Sequence, residues 1–243
     1  LLEEPCQTDI EKVLLLAQQG NLFVASQNYT AALSSYERTL ALNPKNVQAW
    51  SSRGAVLNNL GRYEEALTAA ETALQIDSNY DHAWYVKGYA LNALKRKEEA
   101  VISYERALAI DPNFASAWSS RGVTLNNLGR YEEALTAAET ALQIDSEHNH
   151  AWFVKGYALD ALGRREKAVA SYDRALEINR HLHQAWYNKA SCYGAWGKVD
   201  EAVENLQRAI ELNPDYREKA KTDADFDGIR QDERFRALVG ESL

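Results

Sequence analysis

Residues 57–78 read LNNLGRYEEALTAAETALQIDS, and the same letters return at 125–146. A fold arranged around one central pocket has no place for such a copy, so the chain must be an array of like units. The tryptophans supply the period. Trp50, Trp84, Trp118, Trp152 and Trp186 are each 34 residues apart, with no insertion between them. With Trp as position 4, repeats begin at Val47, Asp81, Ala115, Asn149 and His183. Running the register backwards starts a further one at Val13, with Leu16 in place of the Trp. Six units therefore cover residues 13–216, in the segments 13–46, 47–80, 81–114, 115–148, 149–182 and 183–216.

Each unit reads as two helices. In the second, Trp50, Arg53, Gly54 and Leu57 recur at helical spacing up to Gly61, placed where a chain leaves a helix in the left-handed conformation. Gly129, Gly163 and Gly197 repeat that position. The second helix spans about Tyr63–Gln75, with Ala66 and Ala73 inward. A larger side chain there would strain two closely approaching helices by roughly 1–3 kcal/mol. Pro44, Pro112 and Pro214 mark the ends of second helices.

This pattern resembles the tetratricopeptide repeat (TPR) family, which carries Trp at position 4, small residues at 8, 20 and 27, aromatics at 11 and 24, and Pro at 32. The third repeat matches with Trp84, Gly88, Ala100, Tyr104, Ala107 and Pro112, the first with Gly20, Phe23, Ala32, Tyr36 and Pro44. Two departures stand out: Ala70 and Ala138 at position 24, and a basic row, Arg53, Lys87, Arg121, Lys155 and Lys189, at position 7. The resemblance implies an all-α, right-handed superhelical solenoid of helix-turn-helix repeats. Segment 1–12 is then a leader over the first repeat. Segment 217–243, with apolar spacing at Phe226, Ile229, Phe235 and Leu238, is a C-terminal capping helix.

Composition narrows the function. The net charge of −8 argues against nucleic-acid binding, which needs a basic face. No apolar run approaches the roughly 18 residues that span a bilayer. The Leu-rich opening carries Glu3, Glu4 and Asp9 where a signal peptide would be basic. Cys6 and Cys192 are too separated for a disulfide framework, which favours a reducing, cytoplasmic setting. The absence of Met and the opening Leu suggest a piece cut from a longer protein.

The motifs that could carry chemistry are weak. Asp223, Asp225, Asp227 and Gly228 open like a calcium loop, but its twelfth position is Arg234 rather than Glu. His148, His150, His181 and His183 sit at two seams and could approach a zinc ion, although loop histidines are common. No phosphate loop, nucleophile elbow or H-E-x-x-H appears, and duplicated residues cannot each be a unique acid or base. The expectation is a non-enzyme without cofactor or metal. The Trp row is expected to be core, each truncation costing about 3–5 kcal/mol. The basic row is expected to pack its stems between repeats and reach acidic neighbours.

By the same resemblance, positions 2, 5, 6, 9, 12 and 13 line a concave groove. Of those 36 places only Asp160 is charged, against a chain average of 26%. The lining alternates between Ser/Asn repeats (Ser51, Asn58, Asn126) and aromatic ones (Tyr85, Tyr89 and Asn92, then Phe153 and Tyr157), and the sixth repeat adds Tyr187. Amides can donate to and accept from a peptide backbone, while aromatic rings supply contact area at low entropic cost. The carboxylate clamp of chaperone-binding relatives is missing, because Ala17 stands where its Lys is needed beside Asn21. The expected partner is a largely uncharged extended or helical polypeptide, held by Asn58, Tyr85, Tyr89, Asn92, Asn126, Phe153, Tyr157 and Tyr187. Self-association, or service as the targeting module of a larger enzyme, is the alternative.

Overall fold

The computed structural model describes residues 7–240, and among them all regular structure is helical. The helices follow in pairs at the predicted period: α1 (Gln7–Ala25) and α2 (Tyr29–Leu42), α3 (Val47–Asn59) and α4 (Tyr63–Ile76), α5 (Asp81–Ala93) and α6 (Lys97–Ile110). Then come α7 (Ala115–Asn127) and α8 (Tyr131–Ile144), α9 (Asn149–Ala161) and α10 (Arg165–Ile178), α11 (His183–Ala195) and α12 (Val199–Leu212). Residues 7–12 of the expected leader are the opening turns of α1, and its remainder, with Cys6, lies outside the described residues. The chain forms two compact units, one ending at Thr124 and the other beginning at Leu125, inside α7.

Both units use the same local devices. The turn between paired helices needs one residue at positive φ, supplied by Gly61, Gly129, Gly163 and Gly197 at 72–74°. Gln27 and Lys95 take that place in the first and third repeats, at 58° and 65°, where an L side chain is disfavoured. Alanines at positions 3 and 20 are fully shielded wherever helices close, as at Ala66, Ala83, Ala100, Ala151 and Ala168. Their small size allows that approach.

The alternation at position 24 has a steric cause. A Cβ added to Gly20, Gly88 or Gly156 would lie 2.6–2.7 Å from the ring of Tyr36, Tyr104 or Tyr172. The glycine is thus the seat for the tyrosine sixteen residues later. Where position 24 is Ala70, the added atom at Gly54 would instead meet Val86 of the next repeat, at 2.9 Å.

The tryptophans correct the sequence reading in one respect: they are half-buried rather than interior. Each indole Nε1 donates to the carbonyl six residues earlier, at Pro44, Ser78, Pro112, Ser146 and Arg180, over 2.8–2.9 Å. The basic residue at position 7 lies over the ring, 5.4–5.8 Å from its centroid. Its charge then reaches the carboxylate sixteen residues before it: Glu37, Glu71, Glu105, Glu139 or Asp173. Those carboxylates are solvent-exposed, so each ion pair contributes at most about 1 kcal/mol. The stacked stem and ring contribute through contact area.

After the sixth repeat, α13 (Tyr216–Thr222), a 3-10 helix (Ala224–Ile229) and α14 (Glu233–Val239) close the second unit. Phe226 and Phe235 are fully buried beside Leu206 and Tyr187, with Ile229 and Val239 in the same cluster. The predicted apolar spacing therefore folds as three short helices.

Candidate partner-binding surface

Among the predicted contact residues, Tyr89 and Tyr157 offer the most surface. They occupy position 9 of α5 and α9, with 43% and 39% of their area exposed. Their surroundings are near copies: Tyr63 and Tyr85 lie near Tyr89, and Tyr131 lies near Tyr157. Partial burial pushes both hydroxyls above the usual tyrosine value, so they stay protonated and able to donate and accept at neutral pH.

The other predicted residues serve the array itself in larger measure. Asn58 Nδ2 donates to the Val86 carbonyl at 3.1 Å, and Asn126 Nδ2 donates to the Val154 carbonyl at the same distance. Both amides are buried. The backbone they recognise is that of the next repeat's first helix, which corrects their expected place in an open groove. The Oδ1 atoms of Asn58, Asn92 and Asn126 are buried without a partner, so Asn92 too is only partly available. Tyr85 packs between Tyr104 and Phe114, with centroids at 6.0 and 4.9 Å. Phe153 leans on Tyr172 at 6.2 Å. Neither is fully covered.

Tyr187 is a clear correction. It is 1% exposed, stacked on Tyr216 at 4.4 Å and edge-on to Phe226. Its hydroxyl donates to Asp223 Oδ2 at 2.6 Å. The C-terminal segment covers it, a placement that no repeat position could foretell because that segment has left the period.

The same segment alters the electrostatics of the second unit. Tyr157, Asp160, Tyr172, Ser191 and the incoming Asp223 and Asp225 line a cavity of about 300 Å³, with Arg165 and Lys219 also at its wall. The uncharged lining counted along the first helices thus gives way here to a charged one. Asp160 is held above the ordinary carboxylate value by burial and, more weakly, by the Asp225 charge, while the Cys192 thiol and Arg165 act the other way. Burial pushes the Cys192 thiol well up, leaving a poor nucleophile.

The calcium-like run is occupied within the chain. Asp223 accepts from Tyr187 and caps the 3-10 helix through the Asp225 amide, Asp225 accepts from the Ser191 hydroxyl, and Asp227 pairs with Arg230. The histidines likewise act locally: His148 Nδ1 accepts from the Ala151 amide at 3.2 Å, and His183 Nδ1 meets the Tyr216 hydroxyl at 2.9 Å. No group of three His, Cys, Asp or Glu side chains with metal-site geometry occurs among the described residues. None of the helices among them is long and apolar enough to cross a membrane.

Hairpins at a fixed period, a glycine seat under each position-24 tyrosine and recurrent Trp clamps define a helical-repeat solenoid of the kind used for protein interaction. Tetratricopeptide repeat models match residues 18–81 and 120–183, residues 82–114 and 183–216, and residues 103–136. The chain belongs to the tetratricopeptide repeat family, in general a non-catalytic protein-interaction module. No curated protein matches it. Among solved structures it is similar to TTC0263, a thermophilic TPR protein of Thermus thermophilus, at 24% identity and a TM-score of 0.65 over 74% of this chain and 98% of that one. It is also similar to YrrB, described as a TPR protein with an unusual peptide-binding site, at 23% identity and 0.56 over 74% and 93%. The Cut9 and Hcn1 hetero-tetramer of the APC/C gives 16% identity and 0.79 over 84% and 41%. At these identities the likeness is one of fold.

Proposed function

We propose that the chain is a non-catalytic, cytoplasmic scaffold that captures an extended or helical polypeptide along the faces of its first helices. The observation that carries this is the pair Tyr89 and Tyr157, equivalent half-exposed rings 68 residues apart, one on a first helix of each unit. Tyr85, Phe153 and Asn92 flank them as secondary contacts. Asn58 and Asn126 act by fixing one helix to the next rather than by touching the partner. Half-exposed tyrosines suit such a role, since they bury large area with few rotamers to freeze. YrrB's peptide-binding description is consistent with it.

The test is affinity capture with the wild type and with Tyr89→Ala/Tyr157→Ala, after matching melting curves. Polypeptides should be held by the first and lost by the second. Identical capture by both would refute the proposal.

A second reading is supported by α1. Leu15 and Leu22 are 69% and 71% exposed, although the same repeat positions elsewhere, such as Ala83 and Ala90, are fully covered. Self-association through this face would hide them. Light scattering across a concentration series would then show a dimer, and a constant monomer mass would exclude it.

A further inference from the structure

The cavity beside Tyr157 has features that the neutral-groove reading does not use. Tyr172 is completely buried, yet its hydroxyl has no hydrogen-bond partner. Asn188 lies near that hydroxyl but outside hydrogen-bond geometry. An orphaned buried hydroxyl is costly, and one that borders a cavity calls for an occupant. Unused acceptor capacity stands around it. Ser191 engages one oxygen of Asp225, Oδ2, and the Asp225 charge lies near enough to Asp160 to disfavour its ionised form. Two cations stand at the wall: Lys219, its ammonium 4.1 Å over the Tyr187 ring, and Arg165, whose buried Nε has no partner. Arg165 offsets Asp160 only in part, and three carboxylates against two cations leave one negative charge in excess.

We propose that this cavity is a subsite for one cationic side chain, an alkylammonium or a guanidinium, of the captured polypeptide. Asp160 and Asp225 supply the counter-charges, the Tyr157 ring forms a wall, and the Tyr172 hydroxyl accepts at the base. Two carboxylates held near one another are relieved by a cation between them. An aromatic face beside them adds attraction for the same charge. The equivalent place in the third repeat carries Asn92 instead of Asp160, and there the hydroxyls of Ser120 and Thr124 lie near that of Tyr104. A single charged subsite in the second unit would therefore fix the register of a bound segment. The inference rests on the groove reading and refines it: the partner is uncharged except for one Lys or Arg.

The test uses the full 243-residue chain, isotope-labelled, titrated with n-butylammonium, n-butylguanidinium and butyrate while amide resonances are followed. Either cation is expected to shift Tyr157, Asp160, Ser191 and Asp225 saturably. Asp160→Asn is expected to weaken that response about tenfold, as for loss of one charge-assisted contact. The variant carries the amide that Asn92 already places at this repeat position, and its melting curve verifies folding. No cation response, an equal response to butyrate, or a response unchanged in Asp160→Asn would overturn the proposal. A polypeptide lost by Tyr89→Ala/Tyr157→Ala yet held equally by Asp160→Asn would sink the subsite alone. Retention by the tyrosine variant would sink the groove reading.

Discussion

Tyr104 and Tyr172 occupy the same place in two near copies of one hairpin, but the side chains beside their hydroxyls differ. Both rings sit over a glycine that no other residue could replace without a clash, Gly88 in one unit and Gly156 in the other. Around the Tyr104 hydroxyl the following repeat places the hydroxyls of Ser120 and Thr124. Around Tyr172 the corresponding residues are Asn188 and Cys192, and the hydroxyl is left alone. With Asp160 in place of Asn92, and Asp223 and Asp225 arriving from the C-terminal segment, a neutral seam becomes a charged one that borders a cavity. Positions 8, 20 and 24 set the helical frame; positions 6, 10 and 12 set its chemistry, and they vary without disturbing that frame.

The largest expected effect separates the two seams by removing the anchor of the C-terminal segment. Phe226→Ala should cost about 3–5 kcal/mol, as for other large-to-small changes at fully buried aromatic sites. Hydrogen exchange should then accelerate around Tyr187 and Phe235 while the Tyr104 seam keeps its protection. Uniform acceleration in both units would show that they are not separable in this way. Next, Gly88→Ala and Gly156→Ala should each cost about 1–3 kcal/mol by forcing the tyrosine off its seat. Denaturant unfolding should give similar penalties, and a cost at only one of them would break the equivalence of the frames.

Asp160→Asn sharpens the chemical difference. The folded-state value of Asp160 is raised, chiefly by burial. Its acid form is neutral in both states at low pH, and stability declines as pH rises through the raised value. Wild type and variant should melt alike in acid, and the variant should melt higher at about pH 7. Equal melting temperatures at both pH values would contradict a buried, strained charge. The smallest effect concerns the hairpin turns. Lys95 holds φ 65° where Gly163 stands in the second unit, so Lys95→Gly should stabilise by about 0.5–1 kcal/mol, the left-handed penalty less the added unfolded-state freedom. Chemical denaturation would detect it.

The frame was largely legible in the letters, because each device repeats. The 34-residue Trp spacing located every hairpin, the glycines located turns, and the basic row found its acidic partners. Burial depth was less legible: the tryptophans are half-covered because each indole N–H reaches out to the preceding loop. Asn58 and Asn126 looked free to meet a partner's backbone, but their own chain presents one at hydrogen-bond distance. Tyr187 and the charge around Tyr157 could not be read, since both depend on a segment beyond the last period. Only the D-x-D-x-D run hinted at it, as a set of acceptors whose purpose proved to be capping and lining.

The central contrast lies between the two tyrosine hydroxyls, and paired removal measures it directly. Tyr104→Phe should lose about 0.5–1.5 kcal/mol by removing a hydroxyl set among those of Ser120 and Thr124, whereas Tyr172→Phe should be neutral or slightly stabilising, because it deletes a buried group that nothing satisfies. Unfolding free energies that fall equally for the two variants would contradict the distinction between a hydroxyl set among others and one left without a partner.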